Sequence, residues 1–169
     1  RHLRLCKTLE DLSQTLWSAV CVAAAKDHKI ITQDVVEQIC GLISFLTSED
    51  AKVENSRVVY HLVGALANIA ASPDLAKGIF GSMKLRPVVL ESLSQMCAPE
   101  TASGKPLLGH IRVAACAGLA FLASHPSEDD ICRSIMCEAG VFETVAASAT
   151  VLPSCLLYTS PSPRDSGQS

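Results

Sequence analysis

Apolar residues recur at three- and four-residue steps along three stretches that superimpose on one another, a spacing that predicts helices rather than strands. The stretches are 13–27 (SQTLWSAVCVAAAKD), 58–74 (VVYHLVGALANIAASPD) and 111–127 (IRVAACAGLAFLASHPS). The second and third align without a gap. Gly64, Ala65, Leu66 and Ala67 fall over Ala117, Gly118, Leu119 and Ala120, then Ile69 over Leu122 and Pro73 over Pro126. The first joins them with Ser18 over Gly64, Ala19 over Ala65 and Val20 over Leu66.

The segments between these stretches repeat as well. Thr32 is placed to cap a helix carrying Val35, Val36, Ile39, Ile43 and Leu46 at helical spacing. A short helix is predicted over 75–83 and a break over 84–86. Pro87 then suits the first turn of a further helix with Val88, Val89, Leu93 and Met96 on its apolar face. Ser127, Glu128, Asp129 and Asp130 read as an N-cap with an acidic first turn. Glu138, Ala139, Gly140 and Val141 mark a break before Phe142. The repeat interval is 46 residues from Ser18 to Gly64 and 53 from Gly64 to Ala117. Helical repeats of the armadillo and HEAT type run about 40–47 residues. The excess of the second interval falls in 98–109 (APETASGKPLLG), a loop by its Pro, Gly, Ser and Thr content. The expected units are 1–28 in part, 29–74, 75–127 and 128–154 in part.

A helix reading Ala65-Leu66-Ala67-Asn68-Ile69-Ala70, then a short helix, then Glu-Ala-Gly-Val at 138–141 and another helix, resembles the armadillo repeat. The likeness spans roughly 1–154 and is best in the middle unit. It implies an all-α fold, an armadillo-like α-solenoid in which three-helix repeats stack into a right-handed superhelix, with the third helix of each repeat lining a concave groove. The HEAT repeat is the alternative. A unit of this size cannot bury its apolar face alone, so neighbouring units must cover it. The small residues Gly64, Ala65, Ala67 and Ala70, and Ala114, Ala115, Ala117 and Gly118, suit close helix contact.

In armadillo proteins the asparagine of the third helix binds the main chain of an extended peptide, a task for which an amide offers donor and acceptor together. The resemblance puts Asn68 in that role. On the same helical face stand Gly64, His61 and Arg57 behind it and Ser72 ahead. The matching stripe in the third stretch is His110, Ala114, Ala117, Phe121 and His125, and in the first Asp11, Thr15, Ser18, Val22 and Lys26. The asparagine ladder has Val22 and Phe121 at its other two rungs. The tryptophan that nuclear-import receptors carry one turn earlier would fall at Ser18, Gly64 and Ala117, and Trp17 is one residue out of phase, reading as core that points elsewhere. The expected groove is therefore more apolar, suited to a helix or irregular segment. Each residue also has a plainer reading: His61, His110 and His125 as solvated or helix-end residues, Asn68 as a local cap, Phe121 as core.

Composition narrows the function. The hydrophobic fraction is 49% but aromatics are 4%, so the apolar content is small and aliphatic. The formal net charge of −3 comes with no basic stripe, which argues against nucleic acid. No apolar run approaches the ~20 residues of a membrane span. Of eight cysteines, Cys6, Cys21, Cys40, Cys97, Cys116, Cys132 and Cys137 are scattered through apolar stretches, as core thiols in a reducing compartment would be. That use points to the cytoplasm, with the nucleus compatible. Cys132 and Cys137 with His125 have poor spacing for zinc. There is no phosphate-cradling Gly-rich loop with lysine, no H-E-x-x-H and no G-x-S-x-G. The expectation is a non-enzymatic scaffold that binds a protein partner, with no cofactor, metal, membrane or small-molecule substrate. A permanent structural subunit of a ciliary or cytoskeletal assembly, or a HEAT-type regulatory subunit of an enzyme, fits the same pattern.

The string CLLYTSPSPRD at 155–165 resembles the translation of a transposase-type sequencing adaptor. The expectation is that natural sequence stops near Ser154, that 155–169 is a non-native disordered tail, and that a chain opening on Arg1 is a piece of something longer.

Overall fold

The computed structural model describes residues 2–26, 31–48, 56–101, 104–124, 136–137 and 140–149. The adaptor-like string, His125 and the expected cap at 127–130 lie outside the described residues. The helices are α1 (His2–Lys26), α2 (Gln33–Thr47), α3 (Ser56–Ala71), α4 (Pro73–Gly81), α5 (Leu85–Cys97), α6 (Gly109–Ser124) and α7 (Val141–Ala149). Among the described residues there is no strand, only an isolated antiparallel bridge between Glu100 and Pro106. The all-α expectation holds.

Local chemistry sets the helix ends. Thr32 has extended backbone, and its hydroxyl accepts from the Val35 amide at 3.4 Å, which starts α2 as the spacing predicts. Pro73 opens α4 directly after Ser72, where a missing amide hydrogen removes no helical bond. Gly140 adopts φ 65°, and its amide donates to Cys137 O at 3.0 Å, so the break before α7 rests on a conformation that side chains disfavour. The loop after α5 is a tight turn. The Thr101 amide bonds Lys105 O at 2.8 Å, and the Gly104 amide, at φ 72°, bonds Thr101 O at 2.9 Å.

Two details differ from the expectation. The short helix α4 begins two residues sooner, and α5 starts at Leu85, so Pro87 is its third residue, still among the first-turn amides that have no helical acceptor. Val88 is 37% exposed rather than part of the apolar face. Leu85, Val89, Leu93 and Met96 set that face, with Leu90 and Cys97 on its flank, and Val88 is turned the other way.

The helices form two layers. In one, α3 lies between α1 and α6; in the other, α5 lies between α2 and α7. Within a layer the neighbours run parallel at a nearly fixed register. Glu10 meets Arg57 and Ser13 meets His61, pairs 47 and 48 residues apart. In the second layer Glu37 meets Lys84, again 47 apart, and the Cys40 thiol meets Ser92 further along. Between layers, consecutive helices are antiparallel. Leu46 at the end of α2 lies by Val59 near the start of α3, and Val36 lies by Ile69 at the other end. Likewise Leu93 touches Gly118 while Cys97 reaches back to Arg112 and Cys116. Among the described residues α2–α3 and α5–α6 are thus two helical hairpins packed side by side. The short α4 bridges α3 and α5.

Burial follows from this order. α3 has neighbours on both flanks and behind, and ten of its residues from Val58 to Ala70 are buried. Leu62, Leu66, Ile69, Leu93, Met96, Ile111, Leu119 and Leu122 fill the space between the layers. A Cβ at Gly118 would stand 3.3 Å from Leu93 Cδ1 and 3.4 Å from Ala67 Cα, so the α3–α6 contact needs small residues on both sides. Leu66→Ala is expected to cost ~2–5 kcal/mol in chemical denaturation, since Leu66 is 1% exposed. Two glycines should respond in opposite senses: Gly118→Val should lower the unfolding free energy by about 1–3 kcal/mol through overpacking. Gly41→Ala, in mid-α2 with nothing within 4 Å, should raise it by about 0.5–1 kcal/mol.

Candidate functional site

The face of the first layer opposite the hairpin core carries the stripe residues of α1, α3 and α6. On the edge helix α1, Asp11, Thr15, Ser18 and Val22 are all exposed. On the central α3, Arg57 is exposed, His61 and Asn68 are half-buried, and Gly64 is buried. On α6, His110 and Phe121 are exposed, with Ala114 and Ala117 half-buried between them. Ser72 does not join this surface. It is 6% exposed, and its carbonyl accepts from the Ala76 amide at the start of α4.

Side chains at the α1–α3 seam make one connected cluster. The Ser13 hydroxyl donates to Glu10 O at 2.8 Å and stands 2.9 Å from His61 Nδ1. A hydroxyl has one hydrogen, so with Ser13 donating to Glu10 the imidazole donates from Nδ1. The Trp17 indole stacks on His61 with ring centres 5.5 Å apart and meets Tyr60 edge-on at 5.5 Å. Tyr60 in turn meets His110 of α6 edge-on at 4.8 Å. The aromatic contacts therefore cross all three helices of the layer.

This corrects the expectation for Trp17. It does not point away from the stripe: the indole lies over Gly64, where a Cβ would stand 3.1 Å from both Cε2 and Nε1. Position 17 lies on the α3-facing side of α1, one turn beyond the buried Ser13, and an indole is long enough to reach across. Gly64 therefore makes room for a neighbouring side chain rather than for a neighbouring backbone. Trp17 Nε1 is buried with no hydrogen-bond partner among the described residues.

Asn68 has its amide partly committed. Nδ2 donates to Gly64 O at 2.8 Å, one turn back in its own helix. A carboxamide has a second N–H and a carbonyl oxygen beyond that bond. Arg57 Nη1 pairs with Glu10 Oε1 at 2.8 Å across the seam, with the arginine side chain 78% exposed.

Sequence reading did not anticipate Arg112. It is 4% exposed, and its Nε donates to Cys97 O at 3.2 Å, holding the last carbonyl of α5. The only signal was a cation inside the otherwise apolar stretch IRVAACAG. A separate cleft of ≈460 Å³ lies where the end of α2 and the start of α3 face the loop after α5, lined in part by Leu46, Val59, Lys105, Leu107 and Ile111. No residue of the stripe lines it. No group of three or more His, Cys, Asp or Glu residues able to hold a metal occurs among the described residues, and no described helix is long and apolar enough to cross a membrane.

No protein-family model, no curated protein and no solved structure matches this chain. The seam gives a direct check. Trp17→Ala should destabilise by roughly 1–3 kcal/mol, below the ~3–5 kcal/mol of a fully buried tryptophan, because the ring is half-buried. Arg57→Ala, which removes only an exposed ion pair, should leave the denaturation midpoint unchanged within error.

Proposed function

We propose that this chain is an armadillo-like segment of an α-solenoid that acts as a non-enzymatic scaffold, taking a protein partner on the exposed face of α1, α3 and α6. The observation that carries the reading is the parallel, register-repeating layer itself. Arg57 over Glu10 and Lys84 over Glu37 are equivalent contacts in the two layers, both 47 residues apart. Such a row offers an extended ledge whose successive rungs come from successive repeats, which suits a chain-like ligand better than a small molecule.

The chemistry of the ledge is mixed. Val22 is 58% exposed and Phe121 43% exposed at the two outer rungs, with the half-buried Asn68 amide at the middle one. Exposed apolar side chains flanking a polar anchor fit a helical or irregular segment that buries apolar side chains of its own. The ledge has no concentration of cations for a phosphate backbone. The armadillo resemblance adds the expectation that Asn68 engages main-chain groups of the partner, and the local bond to Gly64 O leaves the amide capacity to do so.

The test pairs two faces of the same protein. A partner is isolated by affinity capture and its binding measured with Val22→Asp, Phe121→Asp, Asn68→Ala and Phe45→Asp. Phe45 is 61% exposed on α2, in the other layer, so it serves as the control. Affinity should fall at least tenfold for Phe121→Asp and Val22→Asp, less for Asn68→Ala, and not at all for Phe45→Asp. Loss with Phe45→Asp alone would move the interface to the other layer.

A further inference from the structure

Two cysteines from different layers face each other where α5 ends beside α6. Their sulfurs stand 3.4 Å apart, Cys97 fully buried and Cys116 half-buried. The buried Arg112 sits one helical turn before Cys116 and is bonded to the Cys97 carbonyl. The arrangement separates the two thiols chemically. The hydrogen bond between the two sulfurs, together with the Arg112 charge, brings the Cys116 thiol down to about 7 against the opposing effect of burial. The same hydrogen bond, followed by burial, pushes the Cys97 thiol well up. Cys116 is then the reachable thiolate and Cys97 the thiol behind it. Of the other described thiols, Cys40 is buried, and burial pushes it up, Cys21 is half-buried and Cys137 is exposed.

We propose that Cys97 and Cys116 form a redox-responsive dithiol that closes reversibly into an intramolecular disulfide tying α5 to α6. With a hydroperoxide as oxidant, the Cys116 thiolate attacks one peroxide oxygen. The O–O bond breaks, the departing hydroxide leaves as water after taking a proton, and Cys116 becomes a sulfenic acid. The Cys97 sulfur then attacks the Cys116 sulfur. The S–S bond forms, the S–O bond breaks, and the leaving hydroxide takes the Cys97 proton as a second water. Two thiols lose two electrons, and hydrogen peroxide is reduced to two waters. The sulfurs need to approach by little more than an ångström from 3.4 Å to reach the ~2.05 Å of a disulfide. A dithiol reductant reverses the step.

The purified full chain, reduced and then exposed to equimolar hydrogen peroxide under native conditions, is blocked with iodoacetamide and mapped by mass spectrometry. The expected product is a linked Cys97–Cys116 peptide lighter by two hydrogens, with Cys137 still alkylated and the link undone by dithiothreitol. Cys97→Ser should instead stop at a Cys116 sulfenic acid that dimedone labels, and Cys116→Ser should give no link. Oxidation of Cys137 before this pair, or a link that forms only after the protein is denatured, would overturn the proposal.

Discussion

A helical hairpin of this composition has more apolar surface than one partner helix can cover. α3 makes the point. Its buried residues, from Val58 through Leu62, Leu66 and Ala70, extend around most of the helix, so it needs α2 and α5 behind it and α1 and α6 on its flanks. Lateral packing between hairpins is the constraint from which the rest follows. It demands small residues where flanking helices press closest, as at Ala67 against Gly118. It also demands a fixed register, which the contacts supply at intervals close to the sequence repeat. In the proposed solenoid, nearest-neighbour contacts of this kind would make stability a sum over units and the seams between them.

Much of the fold could be read from residues whose effect is local. Thr32 as a cap, the break at Gly140 and the buried faces of α2 and α3 all depend on chemistry within a few residues. The internal alignment of 18, 64 and 117 put three helices in equivalent places, and these are the three that share a layer. What stayed hidden depends on partners distant in sequence. Phase within α1 could not tell that the Trp17 ring would bridge to Gly64 and His61, because that turns on the separation between two helices. Val88 and Leu90 stand at opposite margins of the α5 face, and the packed neighbours decide which is covered.

The candidate site was legible only as positions along three helices. Of the stripe residues, Arg57, His110 and Phe121 are exposed and His61, Asn68 and Ala117 half-buried, while Ser72 is drawn into the α3–α4 junction. The Arg112, Cys97 and Cys116 group was invisible as a group. Its members were a cation in an apolar stretch and two core thiols until α5 and α6 closed together. Seams between hairpins thus hold both the stability of the row and its most distinctive chemistry, and the aromatic bridge from Trp17 through Tyr60 to His110 runs across two of them.

Lateral register is best measured by nuclear Overhauser contacts in the folded chain. Trp17 is the only tryptophan, so its indole protons can be assigned without ambiguity. The account predicts cross-peaks from that indole to the Gly64 α-protons and the His61 ring, and from the Gly118 α-protons to Ala67. An indole whose cross-peaks stay within α1, with Gly118 silent toward α3, would contradict it.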